Sequence, residues 1–219
     1  MKLRTAAIFL MMLPVTSAAY AQHVEVGATF GYTFSEGVSI TPRPVLGVIY
    51  DGLGVDSGKS AGFTFGVYLS EQSQVEFLWN RQSSVLTGEG PVSDRPLSDL
   101  KIDNYMVNYV YNFGARESRM TPYAFAGIGA TSFVFGDNLL NPGGPKIDGQ
   151  TKFATNLGAG AKFYFGHNVG AKVGVRWTPT YIKSDPGGTW CDPFYGCWQM
   201  VDNDYANQFD TSFGITFRF

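Results

Sequence analysis

Three things are scarce in this 219-residue chain, and each scarcity closes off a class of protein. Beyond residue 21 there is no apolar run approaching the roughly 20 residues a helix needs to cross a bilayer, so a helical membrane protein is excluded. The two cysteines have no histidine near them in the sequence and make a poor zinc site, and the two histidines leave little of the usual proton-transfer chemistry. Charge is also thin. Sixteen Lys and Arg stand against eighteen Asp and Glu, with no basic stripe on which nucleic-acid binding could be built. The glycines follow strand spacing and lack the strand-to-helix setting of a phosphate loop, so no cofactor is implied.

What is present points to export. Lys2 and Arg4, an apolar run from Ala6 to Val15, and the small-x-small tripeptide Ala19-Tyr20-Ala21 make residues 1–21 a secretory signal peptide, with cleavage expected before Gln22. The mature chain is then 22–219, and the loss of two cations takes its formal net charge from −2 to about −4. Cys191 and Cys197 fall in a segment rich in Gly, Pro, Asp and Trp. On an oxidising route they are expected to form a local disulfide.

Gly (27), Phe (18) and Tyr (12) are abundant, and apolar residues recur at every second position, the period of a strand. Eight such segments can be read: Val24 to Phe34, Ala61 to Leu69, Val75 to Asn80, Asn104 to Phe113, Tyr123 to Phe133, Lys152 to Phe165, Val169 to Tyr181, and Gln208 to Phe219. In the fifth, Tyr123, Phe125, Gly127, Gly129, Thr131 and Phe133 form the aromatic face opposite Ala124, Ala126, Ile128 and Ala130. The connections alternate, with long ones at 35–60, 85–99, 136–150 and 184–204 and short ones at 71–73, 114–120 and 166–168. Eight strands with this rhythm predict an all-β fold, an eight-stranded antiparallel up-and-down transmembrane β-barrel with short periplasmic turns and long external loops. Pro179, lacking a donor, is expected near the outer rim or at a bulge.

If the aromatic faces meet lipid, the strand charges Glu25, Glu76, Lys162, Lys172, Arg176, Asp210 and Arg218 all fall inside. An eight-stranded interior is just wide enough to be filled by side chains, so these seven are expected to pair and plug the lumen. The alternative is a narrow charged pore for small or apolar solutes.

The chain resembles the family of small outer-membrane β-barrels that includes the opacity-type adhesins and the OmpA membrane domain. The resemblance lies in Thr121-Pro122-Tyr123 leading to Gly127-Ile128-Gly129, in the hairpin from Asn156-Leu157-Gly158-Ala159-Gly160 to Gly174-Val175-Arg176, and in the terminal Phe213-Gly214-Ile215-Thr216-Phe217-Arg218-Phe219. It implies that Phe213, Ile215, Phe217 and Phe219 are read by the barrel-assembly machinery. It does not settle activity, because barrels of this size include adhesins, anchors and a few lipid-modifying enzymes.

Catalysis finds little support in the sequence. His23 precedes the first strand and His167 occupies a short turn, away from an external active site, and Asp192, Asp202 and Asp204 lack a partner nucleophile. The expected partners are outer-membrane lipid and lipopolysaccharide, with an external partner engaged through the loops. Trp190, Phe194, Tyr195 and Trp198 around the cysteines are the candidate contacts. The long loops carry more acid than base, which reads as a solvated rim, with divalent-cation bridging as the alternative.

Overall fold

The computed structural model describes residues 23–36, 38–45, 48–89, 94–114, 118–139, 149–182, 189–192, 196–199 and 205–219; within these, the side chains of 38–53, 89, 137–138 and 189–199 are not described. The expected signal peptide lies outside them. The described residues form twelve strands: β1 (Val24–Ser35), β2 (Val38–Val45), β3 (Val48–Val55), β4 (Gly58–Tyr68), β5 (Ser73–Glu89), β6 (Arg95–Asn112), β7 (Met120–Asn138), β8 (Gln150–Tyr164), β9 (Val169–Tyr181), β10 (Thr189–Asp192), β11 (Gly196–Gln199) and β12 (Tyr205–Arg218).

Eight of them close a ring in the order β1, β4, β5, β6, β7, β8, β9, β12, with β12 returning to pair antiparallel with β1. Closure leaves the eight-stranded ring without an edge, and in hydrocarbon it is the one way a sheet can satisfy all its backbone donors and acceptors. Among the described residues no helix is long and apolar enough to cross a membrane.

The two ends of the described barrel, His23 and Phe219, meet at one rim. The Phe219 amide donates to the Val24 carbonyl at 2.8 Å, the Tyr68 amide to the His23 carbonyl at 2.9 Å, and the Arg218 amide to the Asn168 carbonyl at 2.8 Å. The short connections 69–72, 113–119 and 165–168 therefore share a rim with both ends, and the long connections share the other. Within the first long connection β2 and β3 form a hairpin, and β3 also pairs with the far end of β5. Within the last, β10 pairs with β11.

Two expectations need correction. The segment 85–99 is not a long loop: β5 and β6 run 17 and 18 residues and stay paired out to Gly88 opposite Arg95. Crossing the apolar layer takes about 9–11 residues, so this hairpin rises well clear of lipid. Up there Leu86, Leu97, Leu100 and Ile102 point inward and are buried, while Ser83, Asp99 and Lys101 point outward. The pattern is that of a strand in water, the inverse of the pattern within lipid.

The second correction concerns the face of β7. Tyr123 is 4 % exposed and Phe125 8 %, whereas Ile128 is 61 % exposed, so the aromatic face looks into the barrel and the alanines look out. The neighbouring strands explain the inversion. The inward positions 158, 160 and 174 of β8 and β9 are glycine. A side chain at Gly158 would strike the Phe125 ring, and one at Gly160 or Gly174 would strike the Tyr123 hydroxyl. Two large rings occupy the volume that three missing side chains leave, as close packing demands.

Pro179 lies two residues from the end of β9, on the long-loop rim. The β8–β9 ladder pairs Ala154 with Thr180 and resumes at Leu157 with Trp177, leaving Pro179 without a partner from β8.

Replacing Gly158 with Leu is expected to force Phe125 out of its place and to destabilise the folded barrel by about 1–3 kcal/mol. Urea unfolding in micelles, followed by loss of the fast-migrating folded form on a gel, measures it; an unchanged midpoint would contradict the packing described.

Candidate functional site

Strand alternation sends every second side chain inward, and eight inward rows meet on the barrel axis. All seven charged residues singled out above, Glu25, Glu76, Lys162, Lys172, Arg176, Asp210 and Arg218, are buried there. Lys162 has no exposure at all. Its Nζ lies 2.8 Å from Glu25 Oε1 and donates to Gln74 Oε1 at 3.2 Å. The hydroxyls of Tyr68 and Tyr164 donate to Glu25 Oε2 at 2.6 and 2.9 Å. One carboxylate thus holds a cation and two phenols, which is the satisfaction a buried charge requires.

The second pair, Lys172 Nζ to Glu76 Oε2 at 2.6 Å, stands beside the first, and both ammonium groups lie near the Tyr123 ring, at 5.4 Å for Lys162 and 5.1 Å for Lys172. Aromatic faces attract cations and so add to the pairing. Arg176 Nη2 is 3.5 Å from Asp210 Oδ1, and Asp210 Oδ2 also accepts from Thr33 and Ser60 at 2.8 and 2.7 Å. Arg218, at the short-turn rim, donates through Nε and Nη2 to the His167 carbonyl at 3.1 and 2.9 Å and lies 4.0 Å over the Tyr164 ring.

Above the ion pairs a string of neutral side chains crosses the lumen. Thr180 Oγ1 donates to Thr131 Oγ1 at 2.9 Å, Thr131 to Asn104 Oδ1 at 2.7 Å, Asn104 Nδ2 to Gln208 Oε1 at 3.1 Å, and Gln208 Nε2 to Gln82 Oε1 at 2.8 Å. The space enclosed between the Glu76–Lys172 and Arg176–Asp210 pairs is about 30 Å³, room for about one water molecule.

Sequence reasoning missed the phenols Tyr68 and Tyr164, the amides of Gln74, Gln82, Asn104 and Gln208, and Tyr123. For all of them but Tyr123, inward parity on the strands was the available signal. The remaining candidates fall elsewhere. Phe213, Ile215, Phe217 and Phe219 all point outward, from the middle of the strand that closes the ring down to the short-turn rim. Trp190 faces Trp198, and Cys191 faces Cys197, in the backbone register of β10–β11, but these side chains, with all of Phe194 and Tyr195, lie outside the described residues. His23 Nδ1 is 3.2 Å from the Phe219 carbonyl oxygen, at the rim that also carries His167. Among the described residues no three His, Cys, Asp or Glu side chains converge to hold a metal ion.

A closed ring of eight antiparallel strands, apolar outside and charged within, is a transmembrane barrel. The sequence profile of the outer membrane protein beta-barrel domain matches residues 5–219, and the chain belongs to that family. Its fold is shared with the outer membrane protein OprG from Pseudomonas aeruginosa, at 16 % identity and a TM-score of 0.63 over 91 % of this chain and 96 % of that one. It is shared also with Neisserial surface protein A, at 15 % identity, TM-score 0.55, covering 90 % and 97 % of the two chains. The outer membrane protein AlkL in DMPC lipid bilayers is similar too, at 18 % identity, TM-score 0.55, covering 94 % and 95 %. No curated protein sequence matches the chain.

Replacing Lys162 with Met leaves Glu25 buried without its cation and is expected to destabilise the barrel by about 3–5 kcal/mol. Adding Glu25→Gln to it removes the orphaned charge and is expected to recover most of the loss. Equal unfolding midpoints for the single and double variants would contradict the pairing.

Proposed function

We propose that this outer-membrane barrel is a structural and surface-interaction protein: a plugged cylinder that carries its long loops on the cell exterior and keeps both chain ends in the periplasm. The observation that carries the reading is the filled lumen. Three ion pairs and a crossing string of amides and hydroxyls occupy the axis, and what a plugged barrel of this size has left to offer is its outer wall and its loops. Long connections at one rim and short turns with both ends at the other follow the asymmetry of outer-membrane barrels, which supports the orientation.

The last long connection is the natural recognition element. Cys191 opposite Cys197 in an antiparallel pair has the backbone separation a disulfide requires, about 4.5–5.5 Å between Cα atoms. A stapled hairpin flanked by Trp190, Phe194, Tyr195 and Trp198 would bind an external partner at low ordering cost. Phe213, Ile215, Phe217 and Phe219 serve as the signal to the assembly machinery. The reading assigns no catalytic role, and both histidines at the periplasmic rim support that.

One observation favours the second reading, a narrow passage for small or apolar solutes. The inner wall at the long-loop end is apolar, lined by Leu86, Leu100, Ile102, Phe133, Phe135 and Ile182, all buried.

Purified protein in planar bilayers tests the plug. The plugged barrel is expected to give no steady conductance, and in Glu76→Gln/Lys172→Met, which removes the second pair, it is expected to stay silent. Reproducible ion-selective steps from the unaltered protein would overturn the first reading.

A further inference from the structure

The outer wall carries a concentration of cations that neither the plug nor the loops use. Lysines and arginines in the interiors of the eight barrel strands face the lumen, with three exceptions: Lys59 on β4, Arg81 on β5 and Lys101 on β6. These strands are neighbours, and their register gathers the three around one small residue. Lys101 pairs with Ser83 across β5–β6. The β4–β5 register, which pairs Ser60 with Gln82, sets Lys59 against Ser83 from the other side. Arg81 lies two positions below Ser83 on the same outward face. Strands about 4.8 Å apart bring three such long side chains within reach of one point over the Ser83 hydroxyl.

The height of this point is fixed by what lies beneath it. Phe63, Trp79 and Tyr105 form a continuous aromatic row across the same three strands, toward the apolar belt. Aromatic rows of this kind settle at headgroup level, so the cations stand among the lipid phosphates. Arg81 is pre-positioned for the role. Asp103, itself only 3 % exposed, takes its Nε and Nη2 at 2.7 and 2.8 Å and holds the guanidinium 5.6 Å from the Trp79 ring, leaving Nη1 open. Lys59 and Lys101 are exposed and form no ion pair with a described residue, although Asp99 faces outward two positions beyond Lys101. Gathering like charges on one patch of sheet is unfavourable until an anion joins them.

We propose that Lys59, Arg81 and Lys101 form a binding site for the phosphate monoester of a phosphorylated glycolipid in the outer leaflet, with Ser83 as its floor and the aromatic row against the acyl chains. A monoester carries close to two negative charges, whereas the diester of an ordinary phospholipid carries one, and Lys59 and Lys101, neither paired with Asp99, together with an Arg81 already paired with Asp103, match the former. The site rests on the orientation proposed above, with the long-loop rim outward.

The test uses the full mature barrel, delipidated in neutral detergent and titrated with bis-phosphorylated lipid A, its dephosphorylated form, and phosphatidylglycerol, with retained lipid read by native mass spectrometry. Lipid A is expected to bind best, and K59Q/K101Q to weaken it by about tenfold or more, the equivalent of one charge-assisted hydrogen bond. S83E, which sets a carboxylate on the floor of the site, is expected to abolish the preference; both variants should keep the folded gel mobility, since all three positions are exposed. Wild-type binding by both variants, or equal binding of the dephosphorylated lipid or of phosphatidylglycerol, would overturn the site. Binding in detergent is independent of orientation, whereas antibody access on intact cells to an epitope inserted at 90–93 reports orientation alone. Absent binding with the epitope reached overturns the site and spares the orientation; intact binding with the epitope hidden supports the site and overturns the orientation.

Discussion

An ionised side chain on a membrane strand has one tolerable direction, and that direction leads into a space too narrow to hydrate it. Facing lipid at mid-membrane would cost about 2–4 kcal/mol for Lys or Arg. Facing inward, it enters an interior that eight strands make just wide enough for side chains. The charge must therefore find an opposite one across the axis. Lys162 with Glu25, Lys172 with Glu76 and Arg176 with Asp210 answer that demand. Tyr68 and Tyr164 also donate to Glu25, and Thr33 and Ser60 to Asp210.

Volume imposes the complementary condition. Where β8 and β9 send glycines inward, β7 sends Tyr123 and Phe125, whose rings stack with centroids 6.1 Å apart. The same Tyr123 ring lies beside two ammonium groups, so the residue that fills the void also serves the charges. Packing and electrostatics converge on one side chain, and they explain why the aromatic face of β7 turns away from lipid.

The eight strands were legible in the sequence because lipid imposes a strict period of two, and segments such as Val24 to Phe34 or Val169 to Tyr181 keep it without interruption. The outer halves of β5 and β6 were not legible as strands, since above the membrane the solvent outside is water and the polarity of the pattern reverses: Leu86 and Leu100 go in, Ser83 and Lys101 go out. The face of β7 was misread because Ala124, Ala126 and Ala130 are a permissible lipid-facing row, and nothing within that strand reveals the glycines of its neighbours. The charged set in the lumen was readable by parity, but not its pairing. Glu25 and Lys162 sit 137 residues apart on strands that are not adjacent, and only the closed ring makes them meet.

The central claim is that side chains partition strictly between lipid and lumen, β7 included. Solid-state NMR of the protein in bilayers tests it without substitution, by transferring magnetisation from lipid acyl chains to side-chain methyls. Ile128, Val173, Val175 and Ile215 are expected to receive it rapidly, and Leu78, Met106 and Val110 to receive it only late, by relay through the protein. Early transfer to Met106 and Val110, with Ile128 left dark, would contradict the account.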